Sequence, residues 1–275
     1  MASDPVETNP DADIKAFAAR HQAVLERNEA KNNVVLGLIE RLGAAPPAEL
    51  FLWSGAAPGA CAMHEPLRPL TMTNLERDEC RALADAVVER AYPAAGGTDD
   101  TARWFVERAT ENGHSFEEAM PQAIHALQVR PNYPGAPGRA RRADPSDIAI
   151  VHAFAAAFVK EVLPHDSPPS EEHLLARLAS GRHTLWEVDG MPVALAAFAR
   201  ETRRTGTISL VYTPPEWRGR GFAGSVTAAV ADAILDAGKT SVCLYTDLRN
   251  PYSNRCYAKI GFQRVASAWH FPRRA

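Results

Sequence analysis

Hydrophobic positions change period several times along this chain, and each change marks an element. In the C-terminal half, Asp144-Pro145-Ser146-Asp147 reads as a helix start. Ile148, Val151, Phe154, Ala155 and Phe158 follow at helical spacing. Ser170-Glu171-Glu172-His173 opens a second helix, with Leu174, Leu175 and Leu178 inward and Gly181 as its stop. A strand over 184–188, the turn signal Asp189-Gly190 and a returning strand over 193–200 predict a hairpin. A third strand, 207–213, leads into a glycine-rich turn. The helix over 221–237 that follows places Phe222, Val226, Val230, Ile234 and Leu235 on one side and ends at Gly238. A strand over 241–246, a short helix over 253–260 and a strand over 262–271 complete the order ααβββαβαβ.

The N-terminal half carries the same rhythm less clearly. Residues 14–42 are helical in pattern, 50–53, 60–64 and 69–73 are short strand candidates, 75–91 and 101–112 are helical, and 122–129 closes as a strand. This half reads either as a worn copy of the later order or as a helical support or lid. Between the halves, PNYPGAPGRARRADP (131–145) is rich in Pro, Gly and Arg without apolar period, which marks a linker. The expected domains are 1–130, the linker 131–145 and a catalytic domain over 138–275.

Composition narrows the classes. The chain has 275 residues, 46% hydrophobic and 23% charged, with a net charge of −3. That balance gives no reason to expect nucleic acid or an anionic membrane as partner. Cys61, Cys80, Cys243 and Cys256 have no C-x-x-C pairing and read as reduced thiols, with no metal site implied. The polar, acidic start MASDPVETNPDAD is neither signal peptide nor anchor, and no run nears the about 18 apolar residues of a membrane span. A cytoplasmic protein is expected.

The chemistry concentrates in one segment. Apolar 208–212 ends at Pro214-Pro215, the basic turn Arg218-Gly219-Arg220-Gly221 follows, and a helix opens at once. Strand, glycine turn and helix start together make an anion site: first-turn N–H groups lack internal partners, and glycine lets a phosphate approach the backbone. Neither G-x-x-x-x-G-K-[ST] nor G-x-G-x-x-G is present.

What stands is Arg218-x-x-Gly221-x-Ala223, followed in order by strand 241–246, Asn250, Asn254, Tyr257 and Gly261-Phe262. This resembles the pyrophosphate motif and C-terminal half of the GNAT acyltransferase superfamily over about residues 138–275. The phrase Glu29-Ala30-Lys31-Asn32-Asn33-Val34-Val35-Leu36-Gly37 is similar to one in tandem-GNAT proteins with a degenerate first half. The resemblance implies an α/β fold, a mixed, mostly antiparallel splayed sheet flanked by helices, with two GNAT-like halves in tandem. Gly96-Gly97 falls where a second phosphate loop would lie, without the motif.

The resemblance also implies an acyl-CoA co-substrate. Val211, Tyr212 and Thr213 would hold the pantetheine amides. The backbone of Gly219, Arg220, Gly221, Phe222, Ala223 and Gly224, with the Arg218 and Arg220 charges, would take the pyrophosphate. Strands 208–213 and 241–246 would part to admit the arm, an amide near Val211 would meet the oxyanion, and Tyr257 would protonate the leaving thiolate. Asn254 would contact pantetheine; Asn250 reads either as a cofactor contact or as a turn cap before Pro251. No general base stands out among Asp247, Glu201 and His183.

The implied function is N-acyl transfer, most simply acetyl transfer, from a CoA or other pantetheine thioester to a small-molecule amine. The rival readings are a non-catalytic acyl-CoA sensor and a protein lysine or N-terminal acetyltransferase. An acyl carrier protein as donor, meeting Arg139, Arg141 and Arg142, and a homodimer stay open.

Overall fold

The computed structural model describes residues 13–162 and 167–274. Most of the acidic N-terminal start lies outside the described residues. Two compact units form, and their limits cross the chain several times. The first takes the residues up to Ile124, Thr246–Arg249 and those from Arg264 onward; the second takes His125–Tyr245 and Asn250–Gln263. No described helix is long and apolar enough to cross a membrane.

In the first unit, helix α1 (Ile14–Leu25) starts on Asp13, whose carboxylate accepts the N–H groups of Lys15 and Ala16 at 2.8 and 3.2 Å. It buries Ile14, Phe17, His21 and Leu25, one helical stripe. The single helix expected over 14–42 is broken at Glu26–Asn28, because the Asn28 side chain caps a second helix, α2 (Glu29–Ala44). Strands β1 (Phe51–Ser54), β2 (Cys61–His64) and β3 (Leu70–Thr73) form an antiparallel meander. Helix α3 (Arg77–Ala86) follows, shorter than the expected 75–91.

Gly96-Gly97 is no phosphate loop: it lies in a strand, β4 (Ala94–Thr98), parallel to β3. A Cβ on Gly97 would press on Thr101 Oγ1 and Met72 Cγ at 2.5 and 2.7 Å, so close packing between strand and helix demands glycine there. Helix α4 (Thr101–Glu111) and strand β5 (Met120–Leu127) complete the N-terminal half. The last strand of the chain, β11 (Gln263–Pro272), pairs antiparallel with β4, Trp269 opposite Gly97 and Phe271 opposite Ala95.

Along the chain after residue 144 the elements follow the expected order, but all of the last strand beyond Gln263 belongs to the first unit. The stretch read as linker contains a strand, β6 (Arg139–Arg142), paired with β7 (His183–Val188). It carries no apolar alternation. Arg141 instead holds Asp147 at 2.8 Å and Glu187 at 2.7 Å, and backbone pairing to β7 does the rest. Helices α5 (Ile148–Val162) and α6 (Glu171–Ala179) precede the β7–β8 hairpin, with β8 at Met191–Glu201. Its turn, Asp189-Gly190, has φ of 51° and 79°, the left-handed pair a two-residue hairpin needs. Strand β9 (Thr205–Tyr212), helix α7 (Phe222–Asp236), strand β10 (Ser241–Asp247) and helix α8 (Pro251–Ile260) follow. The sheet order is β10-β9-β8-β7-β6. Helix α7 buries Val226, Val230, Ala231 and Ile234 in one core with Val193, Ile208, Val242 and Leu244. Burying such side chains contributes on the order of 1.5–3 kcal/mol each.

Candidate active site

Strands β9 and β10 run parallel but are bonded only at Thr205, Gly206 and Thr207, opposite Ser241, Val242 and Cys243. Beyond that rung the paired residues stop, although β9 continues to Tyr212. The two strands therefore part where an acyl arm was expected to enter.

On its other edge β9 carries a bulge. Leu195 of β8 faces Tyr212 and Ala197 faces Ser209, so Leu210 and Val211 together oppose Ala196 alone. Leu210 takes φ of 53°, a left-handed conformation rare for leucine. Two residues opposite one leave a residue outside the ladder and re-aim the backbone. The region around Val211 is thus unpaired with β10 and irregular against β8, as an amide aimed into the gap requires.

Pro214 and Pro215 end the strand, and the chain then makes the turn. Gly219 and Gly221 have φ of 78° and 87°, and Gly221 is the left-handed N-cap of α7. Among the described residues, no backbone acceptor lies in hydrogen-bond range of the N–H groups of Gly219, Arg220, Gly221, Phe222, Ala223 or Gly224; the first helical bond is Ser225 N–H to Gly221 O, at 3.0 Å. Arg218, Gly219, Arg220 and Gly221 are exposed, Ala223 is half-buried, and Phe222 and Gly224 are buried. The amide row is open to solvent at its start, and the helix dipole adds positive potential there.

Arg218 acts differently from a free cation. Its Nε donates to the Thr213 carbonyl at 2.9 Å, one Nη holds Glu161 at 2.6 Å, and its guanidinium lies 5.8 Å from the Tyr212 ring centre. It ties the turn to the end of β9 and to α5. Arg220 stacks over Trp217 at 4.9 Å and has no ion-pair partner among the described residues, so it is the available charge. Thr213 is buried, and among the described residues its hydroxyl has no hydrogen-bond partner.

Tyr257 lies on α8. Asn250 caps that helix, its Oδ1 accepting from Tyr252 and Ser253 N–H at 3.1 and 3.2 Å, and Pro251 holds the first helical position. Asn250 is thereby engaged locally, and its oxygen is not free for a cofactor. Asn254 donates to the Asn250 carbonyl at 2.7 Å and is half-buried. Gly261, φ 110°, ends α8, and Phe262 N–H donates back to the Tyr257 carbonyl at 3.0 Å. Tyr257 is 8% exposed, and its hydroxyl has no partner among the described residues. Burial, and then the neighbouring Cys256, push its ionisation above the ordinary tyrosine range.

The other polar candidates are held by partners or sealed by burial. Glu201 is held by Arg182 at 2.7 Å and Lys239 at 3.0 Å. His183 is buried and burial lowers it to about 4. Asp247 accepts from Arg249 at 2.8 Å. Cys256 is half-buried and burial raises its thiol, so it is a poor nucleophile. Among the described residues no cluster of His, Cys, Asp and Glu has metal-site geometry.

Three contributors escaped the sequence. Tyr133 lays its hydroxyl 3.4 Å from the Gly221 carbonyl, and a Cβ on Gly224 would overlap its ring. Ala136 N–H bonds Ser225 Oγ at 2.7 Å, so the 133–136 loop braces the first turn of α7. A lone tyrosine in a Pro/Gly stretch was the available signal. Glu161 and the Leu210 bulge left none.

Residues 188–270 match a family model described as FR47-like protein. A GCN5-related N-acetyltransferase from Sphaerobacter thermophilus is 17% identical with a TM-score of 0.67, over 99% of this chain and 97% of that one. The chain has the fold of the GNAT acetyltransferases. A GCN5-related N-acetyltransferase from Kribbella flavida is 16% identical with a TM-score of 0.54, over 82% of this chain and 87% of that one. A tandem GNAT protein from the clavulanic acid biosynthesis pathway is 14% identical with a TM-score of 0.54, over 86% and 87%. No curated protein matches the sequence. At these identities the solved structures speak for the fold, and the GNAT fold is what the parted strands and glycine turn of the second unit display.

Proposed function

We propose that this protein is a GNAT-type N-acyltransferase that moves an acyl group, acetyl in the simplest case, from a CoA or other pantetheine thioester directly to the amine of a small molecule. The observation that carries the reading is the parting of β9 and β10 beyond Thr207 and Cys243, beside an open amide turn. The turn would take the diphosphate, with Arg220 adding charge and Arg218 holding the turn in shape. The end of β9 would pair with the pantetheine amides, as a sheet edge pairs with a peptide.

The amine nitrogen attacks the thioester carbonyl, and the C–N bond forms as charge gathers on oxygen. An amide near Val211 would meet that oxyanion. The C–S bond then breaks, the Tyr257 hydroxyl gives its proton to the sulfur, and the proton lost by nitrogen restores the tyrosine through solvent. A raised tyrosine is the weaker acid in water, but the dry site that raises it raises a thiolate as well. Its consequence is that Tyr257 remains in the donor form throughout the neutral range. Positioning supplies much of the rest of the rate.

The start of α3 in the first unit has no glycine turn of the α7 kind, which supports a single donor site. Beyond the β3–β4 pairs, Thr73 and Thr98 are joined hydroxyl to hydroxyl at 2.8 Å, and Asn32 accepts from Thr73 at 2.8 Å. At the start of α3, Glu76 and Glu79 form a capping box, and Glu79 also accepts the Ala56 N–H at 2.7 Å. Carboxylates of the chain itself satisfy the N–H groups at that helix start. A small acceptor, a cytoplasmic location where acyl-CoA is supplied, and independence from membranes and nucleic acid belong to the same reading.

The test is a free-thiol release assay with purified full-length protein, across acyl-CoAs and acyl-pantetheines on one axis and small amines, lysine peptides and N-terminal peptides on the other. Release dependent on a small amine supports the reading. CoA binding in calorimetry with no release from any pair leaves a sensor and ends the catalytic reading. Release only with peptides redirects it to protein acetylation.

A further inference from the structure

The first unit has a cavity of about 500 Å³ whose residues take no part in the acyl site. That volume is within the range of small-molecule sites. Its walls include His64, Arg90, Glu49, Glu89, Pro66 and Leu67. His64 ends β2 and is 2% exposed; among the described residues neither ring nitrogen meets a partner at full hydrogen-bond geometry, although the Arg68 backbone lies close enough to favour the protonated ring. A buried imidazole nitrogen without a full hydrogen bond costs on the order of 1–3 kcal/mol unless something fills the need. Beside it, Tyr92 stands edge-on, ring centres 6.3 Å apart, with a buried hydroxyl that is also unpartnered.

Arg90 completes the floor. Phe51 is directly opposite His64 in the β1–β2 ladder, so the two side chains share a face, and the Arg90 guanidinium carbon lies over the Phe51 ring, 4.7 Å from its centre. No described carboxylate is within ion-pair distance of Arg90, nor any described cation within that distance of Glu49 or Glu89. The Arg90 charge, after burial, helps hold His64 neutral, with the Arg68 backbone and Glu65 opposing. A neutral imidazole offers one N–H donor beside the planar donor fork of arginine, which suits a carboxylate. Two glutamates at the mouth would repel a plain anion and welcome one that also carries an ammonium group.

We infer that this cavity is a second ligand site that takes a small zwitterion of the amino-acid class, its carboxylate on Arg90 and His64 and its ammonium toward Glu49 and Glu89. The site is separate from the acyl-transfer reading and does not require it. Nothing covalent happens there; binding alone is inferred.

Calorimetry and ligand-detected NMR on the full chain would use glycine, L-alanine and L-leucine as probes, with acetate, propionate and methylamine as single-charge controls. Saturable binding of at least one zwitterion is expected, at least tenfold tighter than its matching controls. Arg90→Gln should weaken it at least tenfold while CoA affinity and thiol release stay as in the parent, which also shows that the variant is folded. Glu49→Gln with Glu89→Gln should weaken the zwitterion and leave acetate unchanged or tighter. Tyr257→Phe should leave zwitterion binding as in the parent while lowering thiol release. Absence of saturation by all three zwitterions up to about 10 mM, well into the weak range, overturns the inference. So does zwitterion binding of undiminished strength in Arg90→Gln, since the ligand would then sit elsewhere.

Discussion

Phe262 holds Tyr257 from two directions. Its N–H donates to the Tyr257 carbonyl at 3.0 Å, and its ring stands 6.1 Å away, edge to face. The pair Gly261-Phe262 is therefore a brace: the glycine turns the chain left-handed, and the phenylalanine comes back onto the tyrosine it follows by five residues. Among the described residues the phenol has no partner of its own, which suits the donor role proposed for it.

Tyr257→Phe keeps the ring and removes the proton. Turnover should fall about ten- to a thousand-fold, near the general-acid range, with CoA affinity nearly unchanged. Steady-state kinetics beside calorimetry with CoA separate the two effects. Wild-type turnover would remove the role given to Tyr257.

Gly221→Val tests the amide turn. Space is not the obstacle, since a Cβ there meets only the Tyr133 hydroxyl at 3.4 Å and Ala136 at 3.6 Å. The obstacle is φ of 87°, which costs a β-branched residue about 1–2 kcal/mol or more. The turn should relax out of its amide-presenting shape and CoA affinity should drop by about tenfold or more, with each 1.4 kcal/mol of lost contact giving one such factor. Parent-like CoA binding by a folded Gly221→Val protein would contradict the phosphate assignment.

The Arg218–Glu161 pair separates shape from charge. Both side chains are about half exposed, 44% and 50%, so their attraction is screened and stability should change by less than about 1 kcal/mol in Glu161→Gln. The same change removes a carboxylate from beside the turn, so CoA should bind as tightly as before or tighter. Arg218→Glu should weaken it, losing the bond to the Thr213 carbonyl as well as the charge. Weaker CoA binding in Glu161→Gln would mean that the pair serves chiefly to position the turn.

Stability should decline in mild acid through His21 and His183. Burial lowers each to about 4, with Arg20 adding to the effect at His21, and Arg177 then His173 at His183. Their unfolded value is near 6.5. Between those limits the unfolded chain binds the extra protons, so the stabilisation is full above pH about 6.5 and drains away as pH falls toward 4. Each histidine can cost up to about 3 kcal/mol across that window. Thermal unfolding midpoints measured from pH 7 to 4 should fall steeply, and His183→Leu should flatten part of the slope. A pH-independent midpoint would refute the assignment of these groups.

The second unit was largely legible because its instructions are local. Asp189-Gly190, Asn250-Pro251, Gly238 and Gly261 each set backbone geometry within a few residues, and the helical stripe of α7 needs only its own periodicity. The glycine turn was legible for the same reason. The first unit was less so, since its four-residue strands are too short for a period to stand out from their surroundings, and the start of its helix α3 is capped by Glu76 and Glu79 with no glycine turn to mark it. The phrase around Asn32 does have a structural use there: its side chain donates to the Leu25 carbonyl at 3.1 Å and accepts from Thr73.

By itself the sequence determined the kinds of element, their order in the C-terminal half, the amide turn and the helix that bears Tyr257, because each depends on φ preferences, caps and apolar spacing among near neighbours. Only the tertiary structure decided where β9 leaves β10, that Leu210 bulges, that Tyr133 lies against Gly224, and that β11 pairs with β4. Those features are settled by contacts between residues tens to more than a hundred positions apart, where competing packings are weighed against one another and no short window of sequence carries the outcome.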